Sequence, residues 1–236
     1  SVAAGATISV VVDYKLNLKD NSGISSLSPV GSHFLPLSFW YPTPNSWFFG
    51  RGADSALVRI KVNTQSGQAA VASGTETAGA FEQKFAAQPF FATGNWDVSS
   101  SNGVAIYAPK GTSAEGLKRA AEMSAIVAEA RNFAASYLGN APDMPLRIVA
   151  VRRGAGYSSA GTILVDESVF RRSKVDSLSA MNLAEAAIKT WIGVSVAAAG
   201  DGHGIIREGL TRFIATEFIE SKFGKEIADI ERLRQR

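Results

Sequence analysis

The chain has 236 residues, 46% of them apolar and 19% charged, a balance that suits a packed protein and excludes wholesale disorder. Its formal net charge of +3 gives no strong basic field, so a nucleic-acid partner is not expected. The absence of cysteine excludes disulfides, thiolate metal sites and cysteine nucleophiles, and no apolar run approaches the ~20 residues that span a bilayer.

In residues 8–16, Ile8, Val10, Val12, Tyr14 and Leu16 alternate with Ser9, Val11, Asp13 and Lys15, which predicts a strand with one mainly apolar face. Residues 34–44 are rich in aromatics and prolines. Trp40, Tyr41 and the nearby Trp47 could stack on a sugar or an extended peptide, but burial in a core or interface is the expected role of such large rings. His33 beside them is read as a structural histidine. Strands are predicted at 58–62, 81–85, 89–94 and 104–107, separated by Gly, Asn and Ser clusters, so residues 1–110 form an all-β, sandwich-like part.

After Lys110 the periodicity lengthens. Thr112-Ser113-Ala114-Glu115 has capping-box spacing and opens a helix over 113–138, which Gly139-Asn140 and Pro142 stop. A strand at 146–151, a loop at 152–160 and a second strand at 162–165 follow. The pairs Arg152-Arg153 and Arg171-Arg172 read as solvated surface. A helix over 183–198, rich in small residues such as Ala184, Ala186 and Ala187, is predicted to be buried. Asp201-Gly202-His203-Gly204 forms a loop ahead of the next helix, on which Glu208 and Arg212 share a side; that helix reaches Lys222, and a charged helical tail follows Gly224.

Two runs carry the functional reading: Glu185-Ala186-Ala187-Ile188-Lys189-Thr190-Trp191-Ile192-Gly193 and Arg207-Glu208-Gly209-Leu210. They resemble the zinc aminopeptidases of the gluzincin clan, whose pattern is H-E-x-x-H-x-W-x-G on one helix and asparagine-glutamate-glycine-phenylalanine on the next. Trp191, Gly193, Glu208 and Gly209 fall in step with that pattern, while Glu185 and Lys189 stand at the two histidines and Ala186 at the catalytic glutamate. Histidines at i and i+4 serve zinc because that spacing puts both rings on one helix face. A protonated lysine has no lone pair to offer, and alanine cannot take a proton from water. The resemblance also places Tyr157, Ser158 and Ser159 on the strand that grips a substrate's amino terminus, with Ser158 where the family has a glutamate; serine brings no charge to pair with an ammonium.

The resemblance implies an α+β fold, with an amino-terminal all-β domain over 1–110 and a truncated thermolysin-like (gluzincin) domain over 111–236. It covers the β part in outline and about the first half of the catalytic domain, short of the family's transition-state tyrosine. No catalytic residue and no zinc are expected. Lys189 is read as sitting between Glu185 and Glu208, a buried triad whose loss in Lys189→Ala would cost roughly 3–5 kcal/mol. The implied function is an inactive aminopeptidase-like module that binds a peptide or protein across the cleft or acts as a scaffold. The alternative is a hydrolase using Glu185 and Glu208 as a carboxylate site for a harder cation or as an acid/base pair. The resemblance and the missing cysteines together point to an exported protein, periplasmic or extracellular.

Overall fold

A computed structural model of the chain describes residues 3, 5–38, 40–42, 57–85, 88–154, 156–196 and 202–234. The fold is mixed α+β, and its amino-terminal strands form two small sheets. One has the order β1 (Ser25–Ser26), β2 (Gly31–Phe34), β7 (Phe91–Gly94), β4 (Ala69–Ala72), all antiparallel. The other places β6 (Ala80–Gln83) between β3 (Val58–Ile60) and β5 (Thr75–Thr77). Ile60, Ala72 and Phe81 join the two in a common apolar cluster.

The third sheet has five strands. A hairpin of β8 (Trp96–Ser101) and β9 (Val104–Pro109) leads into helix α1 (Ala114–Leu138), which returns the chain to β10 (Leu146–Val151), parallel to β9. Next come the short β11 (Ser158–Ser159) and β12 (Thr162–Asp166); β12 is parallel to β10 and antiparallel to β11, which forms the edge. The sheet thus extends across position 110. Three helices follow: α2 (Ser177–Ile188), α3 (His203–Phe223) and α4 (Lys225–Arg234).

All six residues of β10 are buried because the strand is covered on both faces. Leu146, Ile148 and Ala150 meet Met123, Val127, Met181 and Ile188 in the helical core. Val149, Val151 and Leu164 meet Leu35, Val71, Phe90 and Ala92 on the opposite side. A strand buried on both faces reads as a continuous apolar run, and 146–151 does so except at Arg147. The buried Arg147 guanidinium donates to the carbonyls of Ala72 (3.1 Å) and Gly74 (2.7 Å) and lies over the Phe81 ring at 5.7 Å.

Helix α1 has nearly the predicted bounds. Its N-cap is Ser113, whose hydroxyl accepts from Gly116 N–H (3.2 Å), so the cap lies one residue later than the capping-box reading. Gly139 closes the helix at φ 80°, a conformation that favours glycine.

Three element predictions need correction. No strand forms at 8–16: the segment is exposed, with Val10 at 74% and Val11 at 86%, and no described strand ladders with its backbone. Alternation supplies an apolar face, but a strand also needs a neighbour to take its N–H and C=O groups. Helix α2 runs over Ser177–Ile188 rather than 183–198. It starts early because Asp176 caps Ser179 N–H (2.7 Å), and it ends where Thr190 donates back to Ala187 O (2.7 Å) and Gly193 turns at φ 103°. Gly193 N–H then bonds Val196 O (2.8 Å), folding back the stretch that was predicted to be helical; Ala198 lies outside the described residues. His203 is the first residue of α3 and is exposed, not part of a loop, and Asp201 lies outside the described residues. Among the described residues no helix is long and apolar enough to cross a membrane.

Candidate functional site

Helix α2 presents Glu185 near its carboxyl end, and Lys189 follows as the C-cap. Lys189 N–H still bonds Glu185 O (2.9 Å), so the two residues keep the i, i+4 relation. Opposite them, Glu208 and Arg212 stand one turn apart on α3. Lys189 Nζ donates to Glu208 Oε2 at 2.6 Å, and Arg212 Nη1 donates to Glu185 Oε1 at 2.8 Å. The result is a two-rung ion ladder: each helix carries its glutamate four residues before its cation, and the charges match because the two helices pair in opposite directions.

This corrects the triad read from the sequence. Lys189 meets only one of the two carboxylates, because Glu185 is taken by Arg212. Nor is the group fully buried: Lys189 is 17% exposed and Glu208 59%. Arg207 adds a third cation, with Nε 3.5 Å from Glu208 Oε1. Its side chain lies against Gly193, where an added Cβ would sit 2.9 Å from Nε. Glycine is favoured at 193 by its positive φ, whereas the flexible Arg207 side chain has room to give way to a Cβ.

Ala186 is 2% exposed and belongs to the helical core. Trp191 is buried, and its indole N–H points to Gly139 O (3.3 Å) and Asn140 O (3.1 Å), tying the end of α2 to the end of α1. Among the described residues no three His, Cys, Asp or Glu side chains converge as a metal-binding group.

Ser158 and Ser159 form the edge strand β11, and Tyr157 precedes it. Tyr157 is half-buried, with its ring 5.7 Å from Phe90 in an edge-on contact. Burial pushes its phenol up from 10.0 to about 12, against the opposing influences of a hydrogen bond with Ser159 and the charge of Arg207. The field of Arg207 therefore reaches both Glu208 and the Tyr157 strand.

The aromatic stretch is used for packing. Trp40 Nε1 donates to Pro89 O (3.2 Å), and its ring lies 4.9 Å from Phe91 and 5.0 Å from Tyr41; Trp47 lies outside the described residues. His33 is buried, with Nε2 3.2 Å from Gly23 O, and burial holds its pKa below the usual 6.5. Sequence reasoning missed the roles of Arg207 and Arg212. The available signal was the spacing of Glu208 and Arg212, which mirrors that of Glu185 and Lys189.

No family model matches the chain, and neither does any curated protein. Solved structures do match. Yeast LTA4 hydrolase in complex with bestatin aligns over 90% of this chain and 34% of its own, with a TM-score of 0.63 and 14% identity. Legionella pneumophila aminopeptidase A in complex with aspartic acid aligns over 88% and 28%, with a TM-score of 0.56 and 14% identity. An M1 zinc metallopeptidase from Deinococcus radiodurans aligns over 88% and 50%, with a TM-score of 0.54 and 16% identity. The chain thus spans half or less of the length of each of these proteins. At such identities the likeness is one of fold, and the fold is aminopeptidase-like.

Proposed function

We propose that the chain is a catalytically silent, aminopeptidase-like module in which side-chain ion pairs stand where a zinc site would be, and that it holds a peptide or protein segment along the cleft beside β11. The observation that carries this reading is the 2.6 Å contact between the Lys189 ammonium and the Glu208 carboxylate. A metal ligand has to offer a free lone pair, and the ammonium has none. Of the two carboxylates at ligand positions of the family pattern, Glu208 is engaged by Lys189, with Arg207 close by, and Glu185 by Arg212. These residues do not fit zinc. Ala186, packed in the core at the position of the family's catalytic glutamate, offers no group to accept a proton from water.

The carboxylate-site alternative is weakened by the same contacts, since Glu185 and Glu208 are each neutralised by a cation. Binding along β11 is supported by its position at the sheet edge, where one side of the strand lacks a ladder partner among the described residues, and by Tyr157 at its start.

The test is metal analysis of the purified chain by mass spectrometry, alongside a turnover screen with aminoacyl and peptide substrates. The expected result is zinc well below one equivalent and no turnover above buffer. One zinc per chain, with turnover lost on chelation and in Glu208→Ala, would overturn the proposal.

A further inference from the structure

The parallel strands β9, β10 and β12 run side by side and end at the same edge of their sheet, where Lys110, Arg152 and Glu167 are the next residues. Ligands of open sheets with parallel strands gather at such carboxyl ends because the chain diverges there and leaves a crevice. A cleft of about 350 Å³ lies at this edge, between the five-stranded sheet and β2 and β7, and Asn95, Trp96, Lys110, Arg152 and Glu167 are among its lining. A second hollow of about 320 Å³ shares Pro109, Lys110 and Glu167 with it and continues past Thr112 to Arg171.

The charges here are unbalanced. Arg152 and Arg171 share the single carboxylate of Glu167, at 3.5 and 3.2 Å. Among the described residues Lys110 has no carboxylate within ion-pair distance; the nearby Asp97 is spent on Gly111 N–H at 2.8 Å. Three cations therefore face two carboxylates, one of them already bonded to backbone. A further feature is the Asn95 side-chain oxygen, which is buried and has no hydrogen-bond partner among the described residues. An acceptor in that condition is costly unless a donor reaches it.

We infer that this edge is a binding site for a small organic acid, a molecule whose carboxylates meet Lys110 and Arg152 and whose hydroxyl donates to Asn95. The cleft has the size of a small-molecule site, and its cations supply charge-assisted hydrogen bonds of the stronger kind. None of its lining residues belongs to the ion ladder, so it does not depend on the reading of the ladder.

Titration of the isotopically labelled chain with citrate, at ionic strength held constant by sodium chloride, tests the assignment by amide shifts. Saturable shifts are expected at Asn95, Gly111, Thr112 and Arg152. Lys110→Ala should weaken binding about tenfold, as should Arg152→Gln, through the loss of one charge-assisted contact each. Lys118→Ala, an exposed lysine paired with Glu115 on α1, should bind citrate as the parent does. Shifts that never saturate, undiminished binding in Lys110→Ala, or equal weakening in Lys118→Ala would overturn the site.

Discussion

The two rungs between α2 and α3 differ in setting. Lys189 is mostly shielded while its partner Glu208 is open to water, whereas Glu185 and Arg212 are both largely shielded. A pair with one solvated member contributes little, because water competes for the exposed carboxylate. Lys189→Ala should therefore lower stability by only about 1 kcal/mol, and Glu185→Ala by more, since it leaves the sheltered Arg212 unpaired. Urea melts of both variants check the order; a larger loss in Lys189→Ala would mean that the lysine has a deeper role. At this scale the sequence was partly legible. Glu185, Lys189 and Glu208 could be singled out through the resemblance of their two runs to the zinc aminopeptidase pattern. Their pairing could not, because the choice between Lys189 and Arg212 as the partner of Glu185 depends on how two helices face each other in space.

Among the elements, α1 was the most legible, since Ser113 and Gly139 are strong end signals. Helix α2 was misplaced at both ends. Its apolar periodicity continues past Ile188 through Trp191, Ile192 and Val194, and periodicity alone does not register a glycine at positive φ. Its true start depends on Asp176, whose carboxylate accepts from Ser179 N–H. That hydrogen bond, with smaller help from Arg172, holds the Asp176 pKa below 3.8. Because the folded pKa is the lower one, the stabilisation is present above the unfolded value and disappears as pH falls through the folded value. Asp176→Ala should cost about 1 kcal/mol near neutral pH and converge with the parent in strong acid, while Asp176→Asn retains most of the cap. Thermal melts across that pH range measure both effects. The unformed strand at 8–16 has a related cause: alternation describes a face, but pairing is decided by which edges lie nearby.

In the whole molecule, the small amino-terminal sheets and the five-stranded sheet are held together by apolar contact and by Arg147. This residue projects from β10 to the carbonyls of Ala72 and Gly74 at the end of β4. Burial lowers its pKa, with the charges of Tyr107 and Glu76 opposing the change. Arg147→Met keeps much of the volume but leaves those carbonyls without their donor. It should cost about 3 kcal/mol, seen as a lower urea midpoint with an unchanged slope. Little of this was legible beforehand, because an arginine inside an apolar strand gives no sign of which distant backbone it will satisfy. The opposed polarity of the two rungs has a further consequence for how the helices come together. Were α3 to slip one turn either way along α2, Glu208 would face Glu185 or Arg212 would face Lys189. Both misalignments set like charges against each other, so the pair of helices is keyed to a single seating, as a lock rejects a blank cut one notch off.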